Sequence, residues 1–185
     1  NFEKDGLGER ILAKLGLKSK TRDMKDWKKL SETARRSKEE VKIGIVGKYF
    51  GSGDFTLTDS YISVIEAVKH ASYALKKKVT IEWLDSHDFE KSPKLLKKLS
   101  GYGGVLVPGG FGSRGVEGKV LAIRYCRENK IPYFGLCYGM QLAVVEFARD
   151  VAGMKKANTT EISPRTPFPV IDILLEQKKN LEDKP

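Results

Sequence analysis

The stretch Gly135-Leu136-Cys137-Tyr138-Gly139 has the spacing of a nucleophile elbow, in which a strand turns abruptly into a helix around one reactive residue. The run "IPYFGLC" predicts a buried strand, and "GMQLAVVEFARDV" predicts the helix behind it. A cysteine at the start of a helix faces unpaired N–H groups, which favour the thiolate and lower the thiol pKa. We therefore predict that Cys137 is a nucleophile and that the backbone N–H of Tyr138 donates to an oxyanion.

The glycine-rich run "VPGGFGSRGVEGK" lies between another buried strand and a helix. Gly110, Gly112 and Gly115 match the G-x-G-x-x-G dinucleotide pattern, but the next strand ends in the elbow rather than in an acid for a ribose hydroxyl. Lys119 does not complete a phosphate-binding P-loop, because a valine follows it where Ser or Thr is required. We interpret the run instead as a turn beside the elbow, with the N–H of Gly110 as a second oxyanion donor opposite Cys137.

A nucleophilic cysteine needs a base, and the chain has only two histidines, His70 and His87. His70 lies late in the first long predicted helix of the α/β part, which favours a helix-face or core position. His87 follows the second predicted strand, and we interpret it as an exposed loop residue. A role as the base is disfavoured because that strand normally lies away from the nucleophile strand. The sequence therefore predicts that neither histidine is the base for Cys137.

The composition is that of a soluble globular protein, with 185 residues of which 40% are hydrophobic and 31% are charged. No apolar run approaches the roughly 20 residues of a transmembrane helix and no signal-peptide pattern is present, so we expect a cytoplasmic protein with no membrane partner. The net charge of +10 is spread along the chain, which favours a lysine-rich solvated surface over nucleic-acid binding. Cys126 lies in mid-helix and is expected to be a packing residue, and no metal site is expected.

From residue 41 onward strands alternate with helices, which predicts an α/β fold with a doubly wound, mostly parallel sheet. Residues 1–40 are highly charged, with apolar positions at helical spacing, and are predicted to form an N-terminal helical linker. Ligands of open α/β sheets bind outside the carboxyl ends of the strands. Three segments are expected at that edge: residues 47–49, residues 108–112 and Cys137.

Together these motifs resemble the class I (triad) glutamine amidotransferases, a flavodoxin-like family, and within it the amidotransferase domain of the CTP synthases. The resemblance rests on "GIVGKY", "DSYISVIEAVKHA", "VLVPGGFGSRGVEGK", "IPYFGLCYGMQLAVVEFARDV" and "ANTTEISP", which follow one another between about residues 41 and 170. It implies that Cys137 forms a γ-glutamyl thioester and that Glu161 holds the amino group of glutamine. The implied glutamine-binding and oxyanion positions are Gly110, Tyr138, Gly139, Met140 and Gln141.

The resemblance also bears on the first loop and on the organisation of the chain. Lys48 and Tyr49 fall where the first loop of the family borders its GTP-effector region, and Tyr138 stands where leucine is common in the family. The implied divisions are residues 1–18 as the tail of a preceding synthetase domain, 19–40 as an interdomain linker and 41–185 as the amidotransferase domain.

The implied activity is the release of ammonia from L-glutamine for a synthetase domain of the same polypeptide, which uses ATP and Mg²⁺ to aminate UTP to CTP. No cofactor is expected in the amidotransferase domain itself, GTP is the expected allosteric effector, and a homotetramer is the expected assembly. The His-x-Glu dyad of the family, and an arginine that grips the glutamine carboxylate, lie beyond Pro185, so the chain alone is expected to be inactive. The alternatives are another class I amidotransferase or elbow-cysteine hydrolase, and a catalytically inert amidotransferase-like module.

Overall fold

The structure of the chain is a computed structural model that describes residues 2, 4–18, 23–48, 61–174, 176 and 177. The chain divides into two units, one that ends at Ser37 and one that begins at Lys38. Tyr49 and residues 19–22 of the predicted linker lie outside the described residues. The assignment of the N-terminal part to a domain tail and a linker stays a prediction.

The first unit contains two short helices, α1 (Leu7–Lys14) and α2 (Lys25–Arg36). The helical spacing of the apolar residues in this part of the sequence is therefore confirmed as a helix signal. Neither helix contains a buried residue, and the indole of Trp27 in α2 is 66% exposed.

A four-stranded parallel sheet forms the centre of the second unit, with the spatial order β2-β1-β3-β4. The two inner strands end in or consist of short apolar runs, as expected for a sheet that is covered on both faces. The predicted parallel α/β architecture is confirmed. The strands are β1 (Glu40–Gly47), β2 (Lys78–Asp85), β3 (Gly104–Val107) and β4 (Tyr133–Gly135).

Helices pack on both faces of this sheet. They are α3 (Ile62–Ala74), α4 (Ser86–Lys91), a 3₁₀ helix (Pro93–Gly101), α5 (Val116–Glu128) and α6 (Tyr138–Asp150). Ile45 and Leu106 pack with side chains of α3 on one face, whereas Val46, Val105 and Val107 pack with α4, the 3₁₀ helix, α5 and α6 on the other. Among the described residues, no helix is both long enough and apolar enough to span a bilayer.

The segment after β2 is a helix rather than the exposed loop that the sequence predicts. Asp85, the last residue of β2, caps α4, and its Oδ1 accepts a hydrogen bond from the backbone N–H of His87 at 2.8 Å. His87 therefore lies in the first turn of α4, where its Nδ1 is 2.8 Å from Oε2 of Glu90. The helix has only six residues, too few for its hydrophobic period to be recognised in the sequence.

A second, two-stranded parallel sheet follows α6 and consists of β5 (Ala157–Thr159) and β6 (Phe168–Ile171). The residues Ala-Asn-Thr of β5 form no apolar run, so the sequence does not predict this strand. The connection between β5 and β6 contains Glu161, and it is joined to the glycine turn of the large sheet by a hydrogen bond described below.

Candidate active site

Cys137 has a backbone conformation that L-amino acids rarely adopt, with φ 50° and ψ −104°. It stands between β4 and α6 as the N-terminal cap residue of the helix, and it is exposed. A residue in such a region costs on the order of 1–3 kcal/mol and persists only where the surrounding structure determines its conformation. The geometry at Cys137 is that of a nucleophile elbow.

The two glycines of the elbow are required by close backbone packing. A Cβ added to Gly135 would lie 2.5 Å from the backbone nitrogen of Met140, and a Cβ added to Gly139 would lie 2.1 Å from the carbonyl oxygen of Val107. No side chain fits at either distance, so the first turn of α6 packs directly on the backbone of β3 and β4. This close approach fixes the position of the residue between the two glycines.

The glycine turn that follows β3 lies beside the elbow. A Cβ built on Gly109 would be 3.7 Å from the Cβ of Cys137, and one built on Gly110 would be 3.8 Å from Cδ1 of Tyr138. Because β3 and β4 are adjacent and parallel, their carboxyl ends lie side by side. The structure therefore brings together the two segments that were predicted to provide oxyanion donors.

Side chains form hydrogen bonds with both backbone groups of Gly112 in this turn. Its N–H donates to Oε1 of Glu161 at 2.7 Å, and its carbonyl oxygen accepts a hydrogen bond from the Tyr138 hydroxyl at 2.8 Å. Gly112 has φ 73°, a left-handed conformation that glycine adopts without a steric penalty. Burial, and then the Glu161 carboxylate, raise the pKa of Tyr138 to about 12, so its hydroxyl is a proton donor at neutral pH.

Two lysines are buried close to the same turn, Lys48 with 4% and Lys119 with 1% of their surface exposed. Nζ of Lys48 donates to the carbonyl oxygen of Phe111, and Nζ of Lys119 lies 5.3 Å from the centroid of the Tyr138 ring. Burial, and then the positive charge of Lys48, lower the pKa of Lys119 to about 8. The ammonium groups place positive charge next to the turn, which favours a negative charge that develops there.

Replacing Lys119 by methionine is expected to raise the free energy of unfolding at pH 7, because a buried cation is exchanged for an apolar side chain of similar length. Below pH 8 the lysine is protonated in both states, so the folded state carries the full desolvation cost, on the order of 1–3 kcal/mol after the contact with Tyr138 is subtracted. Between pH 8 and 10.5 the folded state releases its proton before the unfolded state does, so the gain shrinks as the pH rises.

Urea unfolding at pH 7 and at pH 10 measures this difference. The matched control is Lys97→Met in the 3₁₀ helix, where the lysine is exposed and no comparable gain is expected. A Lys119→Met protein that is less stable than the parent at pH 7 would contradict the prediction.

Two of the predicted substrate-binding residues, Gln141 and Glu161, line one cavity of about 620 Å³. Met140 is placed differently, because its side chain is exposed and lines an apolar groove with Val144 and Phe147 on α6. The other residues that line the cavity are Thr159, Thr160, Pro164, Ile171, Asp172, Ile173 and Gln177.

The structure places neither histidine at the elbow. His87 follows β2 at one edge of the sheet and Cys137 follows β4 at the other, so two strands lie between them, a separation on the order of 14 Å. His70 lies in the second half of α3, which runs back from the carboxyl edge of the sheet, and its exposed ring is 6.4 Å from the ring of Tyr73. The elbow therefore has no histidine partner within this chain.

Two side chains near the elbow were not predicted from the sequence. Tyr138 was predicted to act only through its backbone, and Lys119 was interpreted only as a lysine that does not complete a P-loop. A tyrosine in the first turn of a buried helix needs a partner for its hydroxyl, and this was a signal for the contact with Gly112. The burial of Lys119 had no such signal, because lysines are nearly always exposed.

Three features of the structure define a class of protein. They are the parallel sheet, the strained cysteine between two obligatory glycines, and the adjoining glycine turn. The family model for "Glutamine amidotransferase class-I" matches residues 56–169, and the chain belongs to this family. Within it, the chain is 50% identical over 178 residues to the CTP synthase of Sulfurisphaera tokodaii and 51% identical over 178 residues to that of Carboxydothermus hydrogenoformans.

These alignments cover 96% of this chain but only 33% and 32% of the two relatives. The chain thus spans about a third of the length of the curated relatives that it matches. It is also similar to the solved structure "Trypanosoma brucei CTPS - glutaminase domain with bound acivicin", with a TM-score of 0.66 and 39% sequence identity. That alignment covers 73% of this chain and 50% of the other.

Proposed function

We propose that this chain is the glutaminase part of a longer CTP synthase, which releases ammonia from L-glutamine. The observation that carries the proposal is the position of Cys137, an exposed sulfur on a strained elbow beside the glycine turn. The identity of about 50% to CTP synthases selects this member of the family over other class I amidotransferases.

The reaction proposed for Cys137 is acyl transfer through a thioester. The thiolate attacks the carbonyl carbon of the glutamine side-chain amide, and the carbonyl oxygen becomes an oxyanion. The backbone N–H groups of Tyr138 and Gly110 are the proposed donors to this oxygen. When the intermediate collapses, the C–N bond breaks, the leaving nitrogen takes up a proton and departs as ammonia, and water then hydrolyses the thioester to glutamate and free thiol.

The cavity that Gln141 and Glu161 line is proposed to hold the amino-acid end of glutamine. Cys137 is not among its lining residues, so the side-chain amide would extend from the cavity to the elbow. The Glu161 carboxylate is suited to the α-ammonium group of glutamine, because opposite charges form strong hydrogen bonds. In the structure Oε1 of Glu161 accepts a hydrogen bond from Gly112 at 2.7 Å. We propose that this oxygen turns to the substrate, which links glutamine binding to the glycine turn.

The general base of the reaction is proposed to come from a part of the protein outside these 185 residues, because both histidines of the chain lie away from Cys137. A histidine that is oriented by a carboxylate would activate the thiol and protonate the leaving nitrogen. The His-x-Glu dyad that the family resemblance implies has this chemistry.

The fate of the ammonia belongs to the proposal for the whole protein. A synthetase domain of the same polypeptide would use it with ATP and Mg²⁺ to convert UTP to CTP, with GTP as effector and a homotetramer as the assembly. Among the residues that the structure describes, no group of three or more His, Cys, Asp or Glu side chains is arranged to hold a metal ion. The proposal assigns ATP and Mg²⁺ to the synthetase domain on the ground of the family resemblance alone.

The proposal is tested with a diazoketone analogue of glutamine on the longer protein that contains this chain. The analogue is expected to alkylate Cys137 and to stop the glutamine-dependent synthesis of CTP, while synthesis from added ammonium salt continues. Mass spectrometry of the tryptic peptides identifies the labelled residue. An adduct that forms equally on a Cys137→Ala protein would refute the assignment of the nucleophile.

A further inference from the structure

The side chain of Tyr138 joins the elbow to the glycine turn. Tyr138 is the first residue of α6, it is only 1% exposed, and its hydroxyl donates to the carbonyl oxygen of Gly112 at 2.8 Å. The backbone N–H of the same residue is one proposed oxyanion donor, and Gly110, two residues before Gly112, carries the other. One residue therefore provides a donor on the elbow and holds the segment that provides the second.

The other contacts that hold the turn attach it to different parts of the molecule. Nζ of Lys48, which follows β1, donates to the carbonyl oxygen of Phe111, and Glu161, which follows β5, accepts from the N–H of Gly112. The sheet itself holds the elbow and the turn together only up to the bond between the N–H of Leu136 and the carbonyl oxygen of Val107, at 2.9 Å. Beyond this bond, the hydroxyl of Tyr138 provides a side-chain hydrogen bond from the turn to the elbow.

Glutamine binding would change this set of contacts. If Glu161 turns to the α-ammonium group of the substrate, Gly112 loses the hydrogen bond to its N–H. The bond from Tyr138 to the carbonyl of Gly112 does not involve Glu161 and stays in place. The tyrosine is thus a contact that continues to hold the turn against the elbow while the substrate occupies the site.

We propose that Tyr138 is a positioning residue for acyl transfer, because its hydroxyl fixes the distance between the two oxyanion donors, Gly110 N–H and Tyr138 N–H. The inference rests on the proposed glutaminase function and adds a role for the side chain of Tyr138. Lys119 also contacts the ring of Tyr138, since its ammonium group lies 5.3 Å from the ring centroid.

The test is Tyr138→Phe in the longer protein that contains this chain, because it removes the hydroxyl and keeps the ring. We expect kcat for glutamine hydrolysis to fall about 10-fold to 100-fold, less than the loss of a whole oxyanion donor, while KM changes less than about threefold. Ammonia-dependent synthesis of CTP is expected to stay unchanged. The matched control is Tyr102→Phe, which removes a 2.6 Å hydrogen bond to Glu82 at the other end of the sheet and is expected to leave kcat unchanged.

Two reagents separate positioning from a general structural effect. A haloacetamide alkylates Cys137 by displacement without forming an oxyanion, so its rate is expected to be the same in Tyr138→Phe and in the parent. The aldehyde analogue of glutamine forms a thiohemiacetal whose oxygen needs the donors, so its affinity is expected to fall about 10-fold or more. Should Tyr138→Phe fail to fold, Tyr138→Met removes the hydroxyl with an unbranched side chain of similar length and carries the same expectations.

The outcomes distinguish this inference from the function on which it rests. A parent protein that hydrolyses no glutamine would refute the proposed function. An active parent with unchanged kcat and unchanged aldehyde affinity in Tyr138→Phe would refute only the role of Tyr138. A fall in the haloacetamide rate equal to the fall in kcat would also refute it, because the hydroxyl would then act on the thiol rather than on the oxyanion donors.

Discussion

In the longer protein that contains this chain, replacing Cys137 by alanine is expected to abolish glutamine-dependent CTP synthesis, with a fall of about 10⁴-fold or more, because in the proposed reaction this residue supplies the sulfur of the thioester. Synthesis from ammonium salt should continue at the parental rate, since ammonia bypasses the glutaminase reaction. The measurement is CTP formation from UTP and ATP, with glutamine or ammonium chloride as the nitrogen source. Alanine keeps the Cβ and therefore the strained backbone of the elbow. The substitution thus removes the sulfur without relieving the strain.

The matched control is Cys126→Ala, which removes the other cysteine of the chain. Cys126 is fully buried in the core of the sheet face that packs with α5 and α6, and burial raises the pKa of its thiol to about 12. A thiol in this environment is inert at neutral pH, so activity should be retained. Comparable loss of activity in the two variants would indicate damage to the fold rather than loss of a nucleophile.

Replacing Gly139 by alanine is expected to lower the stability of the fold strongly, because the added Cβ would lie 2.1 Å from the carbonyl oxygen of Val107. The contacted atom belongs to the backbone of β3, so no side chain can move aside to relieve the clash. We expect the free energy of unfolding to fall by about 3 kcal/mol or more, at the upper end of the range for overpacked sites. Denaturant unfolding measures this change.

Gly101→Ala provides the comparison for this effect. Gly101 ends the 3₁₀ helix, it has no atom within 4 Å of its built Cβ, and its φ is not positive. The added methyl group is therefore expected to change the free energy of unfolding by less than about 0.5 kcal/mol. A Gly139→Ala protein as stable as Gly101→Ala would show that α6 can move away from β3.

The sheet and the elbow could be predicted because their signals are local in the sequence. Apolar runs bounded by glycines specify β1, β3 and β4, and the two glycines around Cys137 mark the sharp turn. Helix α4 could not be predicted in the same way. It is six residues long and is held by the cap from Asp85 and by the buried ring of Phe89, features that depend on where β2 ends.

The surroundings of the elbow depended on tertiary structure. Glu161 was placed in the site only through the resemblance to a family, and the structure adds that its carboxylate binds Gly112, 49 residues earlier in the chain. The burial of Lys119 also depends on how α5 packs against the glycine turn. Contacts over such distances leave no period or spacing in a single sequence.

The left-handed backbone at Cys137 favours replacement of the cysteine by glycine. Glycine adopts φ 50° and ψ −104° with less strain than any residue that carries a Cβ, so a change of Cys137 to glycine removes strain at the same time as it removes the sulfur. Stability and reactivity therefore favour different residues at this one position. A Cys137→Gly protein is therefore expected to be more stable than the parent and to lack the proposed glutaminase activity.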